Sequence, residues 1–458
     1  MNVKGFVRRA RIDAPAEEVF RWHARPGAFE RLNPPWAGVT VAERFGGIED
    51  GARVVLKVPV GPAHVRWVAE HRDYMEGCQF CDVQVEGPFA RWEHTHRFQP
   101  DGPDACLLED RVEYALPFGV AGGVIGGPFV RRMLARMFAY RHRITAQDIA
   151  AHAAYPGGPL HVVVSGASGL VGAALVAFLT TGGHRVGRLV RSLPRGDEDE
   201  IHWDPAAGRI DAARLEGIDA VVHLAGENIA GGRWTTATKA RILESRCRGT
   251  RLLSESLARL RRPPRVLVSA SAIGYYGHRG AASLDEDSEP GSGFLASVCK
   301  DWEAATAAAS DAGIRVVRLR LGVVLTAAGG ALAKLLLPFQ LGVGGRLGSG
   351  EQYTSWISVD DVIGSVLHAI RTDELAGAVN VVAPQPVTNL EFTRTLGRVL
   401  VRPTLLPVPA AVARLAFGEM ADEMLLASTR VEPTRLAATH YTFRHSTLEA
   451  ALRHTLGK

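Results

Sequence analysis

The stretch LHVVVSGASGLVGAALVAFLTT, residues 160–181, joins a short apolar run to a glycine-rich turn and a helical pattern. The apolar run predicts a buried strand over residues 160–165, and residues 173–181 predict a helix. Gly166, Gly169 and Gly172 allow a sharp turn between them, let backbone N–H groups approach a diphosphate and let the helix pack closely on the strand. The start of a helix also carries partial positive charge. The stretch therefore predicts a dinucleotide-binding α/β fold.

The next predicted strand, residues 185–190, ends at Arg191 and Ser192. A site that prefers NAD carries an Asp or Glu here to bond the ribose hydroxyls, whereas an Arg and a Ser could hold a 2′-phosphate. The residues therefore favour NADP(H) over NAD(H). The alternative is that Arg191 is an ordinary solvated arginine.

Two further apolar runs, residues 220–226 and 265–269, predict buried strands separated by a helix over residues 239–261. This alternation is typical of a doubly wound parallel sheet. Ligands bind beyond the carboxyl ends of such strands. The predicted cofactor-binding residues are Gly166, Ser168, Gly169, Leu170, Val171, Gly172, Arg191, Ser192, Leu224, Ala225, Gly226 and Ser269.

Residues 1–150 predict a different kind of unit, followed by a Pro/Gly-containing linker at residues 151–159. A strand over residues 6–12 precedes a helix that Asp13 can cap. Five alternating segments follow, and a long helix over residues 130–150 closes the unit. Residues 116–130, with five Gly and two Pro, predict a loop, and are shorter than the roughly 20 residues of a membrane-spanning helix. The order predicts an α+β unit in which a curved sheet wraps a helix.

Trp92, His94, His96 and Phe98 share one face of a predicted strand of this unit, because side chains alternate with a period of two. If that face points inward, the two histidines could polarise a ligand carbonyl or bind a metal. We favour a plain cavity-lining or surface role, since two histidines without a third placed ligand are weak grounds for a metal. The Cys78 and Cys81 pair points to opposite strand faces, so no metal site is predicted.

Two families resemble the two parts of the chain. Residues 8–36, RRARIDAPAEEVFRWHARPGAFERLNPPW, with the meander and long helix, resemble the START-like (SRPBCC, polyketide cyclase/dehydrase) helix-grip domains, which implies an apolar ligand between sheet and helix. The later segments GASGLVG, HLAGENIAGGRW, SASAIGYYG and GEQYTSWISVDDV resemble an atypical short-chain dehydrogenase/reductase of the NAD-dependent epimerase/dehydratase superfamily. Together these segments resemble the SDR39U1-like epimerase family, which carries a DUF1731-type C-terminal domain.

The resemblance implies an α/β Rossmann-type doubly wound parallel sheet at residues 160–325, and a small C-terminal α/β substrate-capping region at residues 326–458 that includes the DUF1731-type domain. An α+β helix-grip (START-like) domain precedes them at residues 1–150. In the capping region Asp360 can cap a helix over residues 361–371. The resemblance places Arg320, Gln352 and Trp356 at the substrate pocket, although Trp356 is as suited to the core.

Enzymes of the superfamily use a Tyr as acid/base, a Lys four residues later and a Ser or Thr on the substrate oxygen. Ser271 matches the last of these. The segment expected to hold the Tyr and Lys, GFLASVCKDWE at residues 293–303, instead offers Phe294 with Val298 or Leu295 with Cys299. The usual pair is therefore missing. The phenol of Tyr275 or Tyr276 could supply the proton instead, or both rings could simply line the pocket.

Composition limits the remaining possibilities. The chain has 458 residues, 47% of them hydrophobic, and a net charge of +5 without a basic run, which argues against nucleic-acid binding. Five cysteines without framework spacing and no signal-peptide pattern predict a cytoplasmic protein with reduced thiols. The expected partners are a small-molecule substrate, an apolar ligand of the front domain and a second copy of the chain, without a membrane span.

The sequence thus predicts an NADP(H)-dependent oxidoreductase or epimerase-like enzyme acting on a small, apolar substrate. The alternative is a catalytically silent NADP(H)-sensing protein in which the cofactor regulates ligand binding.

Overall fold

The computed structural model describes residues 2–61, 63–117, 119–193 and 198–458. The chain divides into two compact units. The first comprises Met1–Gly157 together with Ala177–Gly183 and Gly457, and the second comprises Gly158–Val176, His184–Leu456 and Lys458. Among the described residues, no helix combines the length and apolar character needed to cross a membrane.

The first unit is an antiparallel sheet with helices. Its elements are β1 Lys4–Ile12, α1 Ala16–Ala24, α2 Ala28–Leu32, β2 Thr40–Phe45, β3 Arg53–Val60, β4 Ala63–Met75, β5 Gln79–Glu86, β6 Arg91–Pro100, β7 Cys106–Ala115 and α3 Gly119–Ala153. The seven strands follow the order β1-β7-β6-β5-β4-β3-β2. The START-like α+β fold predicted from the sequence is confirmed.

The alternating pattern of β6 places one face inside this unit. Trp92, His94, His96 and Phe98 are all buried, and the residues between them are half-buried. The surface alternative for the two histidines is therefore wrong. Leu134 and Phe138 of α3 pack with Trp92 in one apolar cluster, so the sheet and the long helix share a core.

Two local predictions in the first unit are wrong. Helix α3 begins at Gly119, so the predicted loop over residues 116–130 is helical from that residue on; residue 118 lies outside the described residues. Val130 and the buried residues one and two turns later pack in the core, and this burial outweighs the low helix propensity of glycine. Helix α1 begins after Pro15 and not after Asp13, whose carboxylate accepts a hydrogen bond from Arg11.

The second unit is built around a parallel sheet. Its elements are β8 His161–Ser165, α4 Leu170–Thr181, β9 Arg185–Val190, β10 Glu200–Asp204, β11 Arg209–Ile210, β12 Ala220–His223, α5 Thr236–Ala258, β13 Val266–Ala272, β14 Ser283–Leu284, α6 Phe294–Ala304, α7 Ala307–Asp311, β15 Arg315–Leu321, β16 Val323–Leu325, α8 Gly330–Gln340, β17 Tyr353–Thr354, β18 Trp356–Ser358, α9 Val359–Arg371, β19 Gly377–Val381, β20 Val387–Thr388, α10 Asn389–Leu400, α11 Ala410–Phe417, β21 Arg430–Val431, α12 Thr434–Ala438 and α13 Leu448–Leu456.

The large sheet has the order β11-β10-β9-β8-β12-β13-β15-β19. Every neighbouring pair is parallel except β10 with β11. The direction of winding reverses between β8 and β12, which creates the crevice where doubly wound sheets bind ligands. The predicted Rossmann-type fold is confirmed.

Two details differ from the sequence expectation. Strand β19 joins the large sheet although it lies beyond residue 325, where the sequence predicts the end of the Rossmann domain. Helix α9 is capped by Ser358 and not by Asp360: the Ser358 hydroxyl accepts a hydrogen bond from the Asp361 N–H at 3.0 Å. Because the Ser358 side chain already bonds an N–H group of the first turn, the helix begins at Val359 and not at the predicted residue 361.

Candidate functional site

The turn after β8 is shaped by its glycines. Gly166 has φ +67°, and a Cβ added there would lie 2.9 Å from the Ala225 nitrogen on the loop that follows β12. A Cβ at Gly172 would lie 2.1 Å from the Gly166 carbonyl oxygen. The Gly169 N–H donates to that same oxygen at 2.9 Å. The two loops at the switch point therefore approach as closely as backbone allows, and α4 starts directly beneath them.

A serine–histidine pair fastens these loops together. Ser165 Oγ, at the end of β8, lies 2.6 Å from His223 Nδ1 at the end of β12, and it accepts the Leu224 N–H at 3.1 Å. Burial lowers the pKa of His223 to about 4, so the ring is neutral near pH 7. This pair was not predicted from the sequence, although both residues end adjacent parallel strands.

The predicted cofactor residues fall into three groups. Ser168, Gly169, Leu170, Arg191, Ser192 and Gly226 are exposed at the carboxyl edge of β8, β9 and β12. Gly166, Val171, Leu224 and Ala225 are half-buried beside them, and Gly172 is buried under the turn. Ser269 is wrongly predicted as a contact: it is 1% exposed within β13, and a side chain enclosed in the sheet is out of reach of a dinucleotide.

A buried polar network lies under the predicted catalytic segment. The Ser271 hydroxyl donates to Glu303 Oε1 at 2.8 Å. Arg320 Nε and Nη2 donate to the two oxygens of Glu303 at 2.9 and 3.0 Å. The Ser271 hydroxyl therefore already donates its hydrogen bond to a carboxylate of the protein itself. Desolvation opposes the Arg320 charge, but the carboxylate outweighs it and raises the Arg320 pKa.

The two tyrosines of this segment differ. Tyr276 is fully buried, donates its phenol to Asn380 Oδ1 at 2.6 Å and accepts from Arg320 Nη1 at 2.9 Å. Burial raises the Tyr276 pKa to about 12. Tyr276 is therefore corrected from an acid candidate to a part of the network. Tyr275 is half-buried, its ring lies 3.5 Å from Arg320 Cζ, and its hydroxyl bonds to nothing within the described ranges.

Glu286 extends the network and was also missed. Its Oε1 accepts the N–H groups of Asn380 and Arg435 at 3.0 and 3.2 Å. Burial raises the Glu286 pKa. The sequence offers no local signal for this role, because Glu286 lies in the polar segment SLDEDSEPGSG, residues 283–293, among other acidic side chains.

The packing of helix α6 shows which of its residues stand where the superfamily has its Tyr and Lys. A Cβ added at Gly274 would lie 3.2 Å from Leu295 Cβ and 3.7 Å from Cys299 Sγ. The pair facing the Ser271–Tyr276 segment is therefore Leu295 with Cys299. Burial raises the pKa of the Cys299 thiol to about 12, so neither residue supplies the proton chemistry of a Tyr–Lys pair.

The three predicted substrate residues are structural. Arg320 is 4% exposed and committed to Glu303 and Tyr276. Gln352 Nε2 donates to the carbonyls of Leu347 and Leu425 at 3.0 and 3.3 Å. Trp356 is fully buried in an apolar cluster, and its indole donates to the Gln385 carbonyl at 3.0 Å. Because their polar atoms are already bonded inside the fold, the prediction that they contact substrate is wrong for this structure.

Three family models match consecutive parts of the chain. The NAD dependent epimerase/dehydratase family matches residues 162–382. The family of polyketide cyclase / dehydrase and lipid transport proteins matches residues 12–139, and the domain of unknown function DUF1731 matches residues 408–455.

Named relatives match about two thirds of the chain. Epimerase family protein Mb2239 of Mycobacterium bovis is 45% identical over 291 residues, 64% of this chain and 96% of the relative. Epimerase family protein SDR39U1 of Homo sapiens is 38% identical over 297 residues, 64% of this chain and 99% of the relative.

Solved structures extend the similarity to both units. A nucleoside-diphosphate sugar epimerase from Corynebacterium glutamicum aligns with a TM-score of 0.81 and 35% identity, covering 99% of this chain and 90% of that chain. The human epimerase family protein SDR39U1 (isoform2), crystallised with NADPH, aligns with a TM-score of 0.60 and 37% identity, covering 65% of this chain and 99% of that chain.

Proposed function

Given that the chain belongs to the NAD-dependent epimerase/dehydratase family, in its SDR39U1-like branch, we propose that the second unit is an NADP(H)-dependent oxidoreductase or epimerase-like enzyme acting on a small, apolar molecule. The glycine turn supports this proposal most strongly. A Cβ at Gly166 or Gly172 would clash with backbone atoms, and the exposed edge above the turn offers room for a diphosphate. Backbone N–H groups at the start of α4 would bind the diphosphate oxygens.

Arg191 and Ser192 support NADP(H) over NAD(H). Both are exposed directly after β9, where a nucleotide bound at the glycine turn presents its adenosine ribose. A guanidinium donates two parallel N–H groups to a phosphate, and these hydrogen bonds are stronger than one that it donates to an uncharged ribose hydroxyl. The NADPH in the human relative's structure agrees with this assignment.

Proton transfer falls to Tyr275 in this proposal. The bound nicotinamide would supply hydride chemistry; the protein must then hold the substrate and a proton donor beside it. The Tyr275 hydroxyl has no hydrogen-bond partner among the described residues, and Arg320 Cζ lies 3.5 Å from the centre of the Tyr275 ring, which holds the ring from one side. The network of Arg320, Glu303 and Tyr276 fixes this platform from below.

Helix α8 supports the apolar substrate class. A Cβ added at Gly329, just before the helix, would lie 3.1 Å from Leu170 Cδ1 in the glycine turn, so α8 starts beside the cofactor edge. Leu337, in its last turn, and Leu341, directly after it, are 64% and 69% exposed. Exposed leucines on a helix that starts at a binding edge favour contact with an apolar molecule.

A second candidate function, a silent NADP(H)-sensing protein, has its own observation. Leu295 and Cys299 occupy the face where a Tyr–Lys pair would act, and the Tyr276 phenol is bonded to Asn380. A protein that binds the cofactor without turnover would have this arrangement, and the apolar ligand of the first unit would then respond to the cofactor.

Calorimetric titration with NADPH and NADH tests the cofactor assignment. Arg191→Asp should weaken NADPH at least about tenfold more than NADH, because it replaces a phosphate-binding charge by a repelling one. Arg185→Asp, at the opposite end of β9, is the matched control and should change neither. Equal loss of both nucleotides in Arg191→Asp ends the NADP(H) assignment.

Turnover separates the two functions. NADPH oxidation with a panel of hydrophobic carbonyl compounds supports the enzyme. Tight NADPH binding without oxidation, together with a cofactor-dependent affinity for apolar probes, supports the sensor.

A further inference from the structure

Four ionisable side chains meet inside the sheet of the first unit. His94 and His96 lie on the buried face of β6. The register pairs His94 with Asp82 of β5 on one side and His96 with Asp110 of β7 on the other. Strand pairing thus brings two carboxylates to two imidazoles, an arrangement that spacing along a single strand does not reveal.

Asp82 closes one side of the imidazole pair. Its Oδ1 lies 2.9 Å from His94 Nδ1 and 3.6 Å from His96 Nε2. One ligand atom from each of the three residues falls within 4.8 Å of the others. The edge of a tetrahedral site with metal–nitrogen bonds of 2.0–2.1 Å is about 3.3 Å, and the two distances from Asp82 Oδ1 lie on either side of this value.

Asp110 closes the other side. Its Oδ1 lies 2.7 Å from His94 Nε2 and 2.8 Å from His96 Nδ1, and its Oδ2 contacts His142 Nε2. His96 Nδ1 is buried, and within the described part of the chain it has no hydrogen-bond partner of good geometry. Each imidazole therefore has one nitrogen toward Asp82 and its other nitrogen toward a carboxylate, which is how proteins orient histidines that bind metals.

We propose that Asp82 Oδ1, His94 Nδ1 and His96 Nε2 bind a divalent transition-metal ion, and that Asp110 orients the two imidazoles from behind. Two imidazoles and a carboxylate suit Zn²⁺ or Fe²⁺ and leave coordination positions open for an oxygen atom of a ligand. The indole of Trp92 donates to Asp82 Oδ2 at 3.2 Å and fixes the carboxylate.

Exposure distinguishes this site from a similar group in the second unit. The Asp82 side chain is 20% exposed, whereas the two histidine side chains are 2% and 7% exposed. Asp82 is therefore the part of the site that solvent reaches, whereas the two imidazoles are almost fully enclosed. Asp360, His445 and His454 also lie within 4.8 Å of one another, but all three are buried, which makes them a useful comparison.

Metal binding by the full chain tests the proposal. The protein is stripped with a chelator and titrated calorimetrically with Zn²⁺, and the bound Zn²⁺ is then counted by mass spectrometry. We expect a tight Zn²⁺ that is lost in Asp82→Asn and in His96→Gln, and bound about 10–100-fold more weakly in Asp110→Asn. His454→Gln and the outward-facing Glu93→Gln should bind Zn²⁺ as the parent does.

Circular dichroism checks that each variant is folded. Absence of tight Zn²⁺ in the parent protein overturns the proposal without reference to any variant. So does undiminished binding in folded Asp82→Asn and His96→Gln. Should both variants fail to fold, loss of the ion in His454→Gln would place it in the second unit and also overturn the proposal, whereas its retention there supports the site in the first.

Discussion

Arg320 and Glu303 form a buried bidentate ion pair that joins β15 to α6, with side chains 4% and 7% exposed. Glu303 also accepts a hydrogen bond from the Ser271 hydroxyl, and Arg320 also donates one to the Tyr276 phenol. Two charges leave water at a high cost, which only good geometry and further hydrogen bonds offset. The pair therefore binds the segment around the predicted catalytic position to the sheet beneath it.

Glu303→Gln should destabilise the protein by about 3–5 kcal/mol, because it leaves the Arg320 charge buried without its counterion. Denaturant unfolding measures the change. Glu449→Gln, which breaks exposed pairs with Arg398 and Arg453, is the control and should leave the stability nearly unchanged, because solvent screens exposed ion pairs. Similar costs for the two variants would contradict the account of the network.

Gly172→Ala should disrupt the nucleotide turn, since the new Cβ would lie 2.1 Å from the Gly166 carbonyl oxygen. We expect a stability loss of at least about 1–3 kcal/mol from this overpacking, and weaker NADPH binding by calorimetry. Gly158→Ala meets nothing within 4 Å and should be neutral in both measurements. Parental NADPH affinity in the Gly172→Ala protein would show that the turn tolerates a side chain.

Tyr275→Phe and Tyr276→Phe should separate chemistry from structure. Loss of the Tyr275 hydroxyl should lower turnover about 10²–10⁴-fold if it donates the proton, with stability nearly unchanged. Tyr276→Phe should instead cost about 1–3 kcal/mol, because Asn380 and Arg320 lose a buried partner. Steady-state kinetics and denaturant unfolding of both variants decide, and equal turnover would remove Tyr275 from its proposed role.

His223 should make stability depend on pH. Burial lowers its pKa from 6.5 to about 4 in the folded chain. Below pH 6.5 His223 therefore binds a proton in the unfolded chain but stays neutral in the folded chain. The free energy of unfolding falls as the pH drops toward 4. Between about pH 7.5 and 5 this contribution is about 2 kcal/mol. Unfolding at both pH values should show a smaller drop in His223→Gln, and an unchanged drop would refute the assignment.

Sequence patterns over a few neighbouring residues were sufficient to predict several strands and the glycine turn of the second unit. The strand predicted over residues 185–190 coincides with β9, and the glycine turn lies between a strand and a helix as predicted. Buried parallel strands are short apolar runs, and glycine marks positions where backbone meets backbone. Both features follow from residues that are adjacent in the chain.

Features that depend on long-range pairing were missed. Glu303 and Arg320 meet only because α6 packs over β15, and Asp82 meets His94 only through the register of β5 with β6. The start of α3 at Gly119 was also missed, since its helix is stabilised by packing and not by its own glycine-rich sequence. Periodicity gives the face of a side chain, but not the partner across the core.

The proposed enzyme requires that the turn following β8 binds the diphosphate of NADP(H). Calorimetric titration of Ser168→Asp and Ser168→Ala with NADPH tests this directly, because Ser168 is exposed on that turn and the two variants differ only in the added carboxylate. We expect Ser168→Asp to bind NADPH at least about tenfold more weakly than Ser168→Ala, through charge repulsion. Equal affinity in the two variants would place the nucleotide elsewhere and contradict the proposed function.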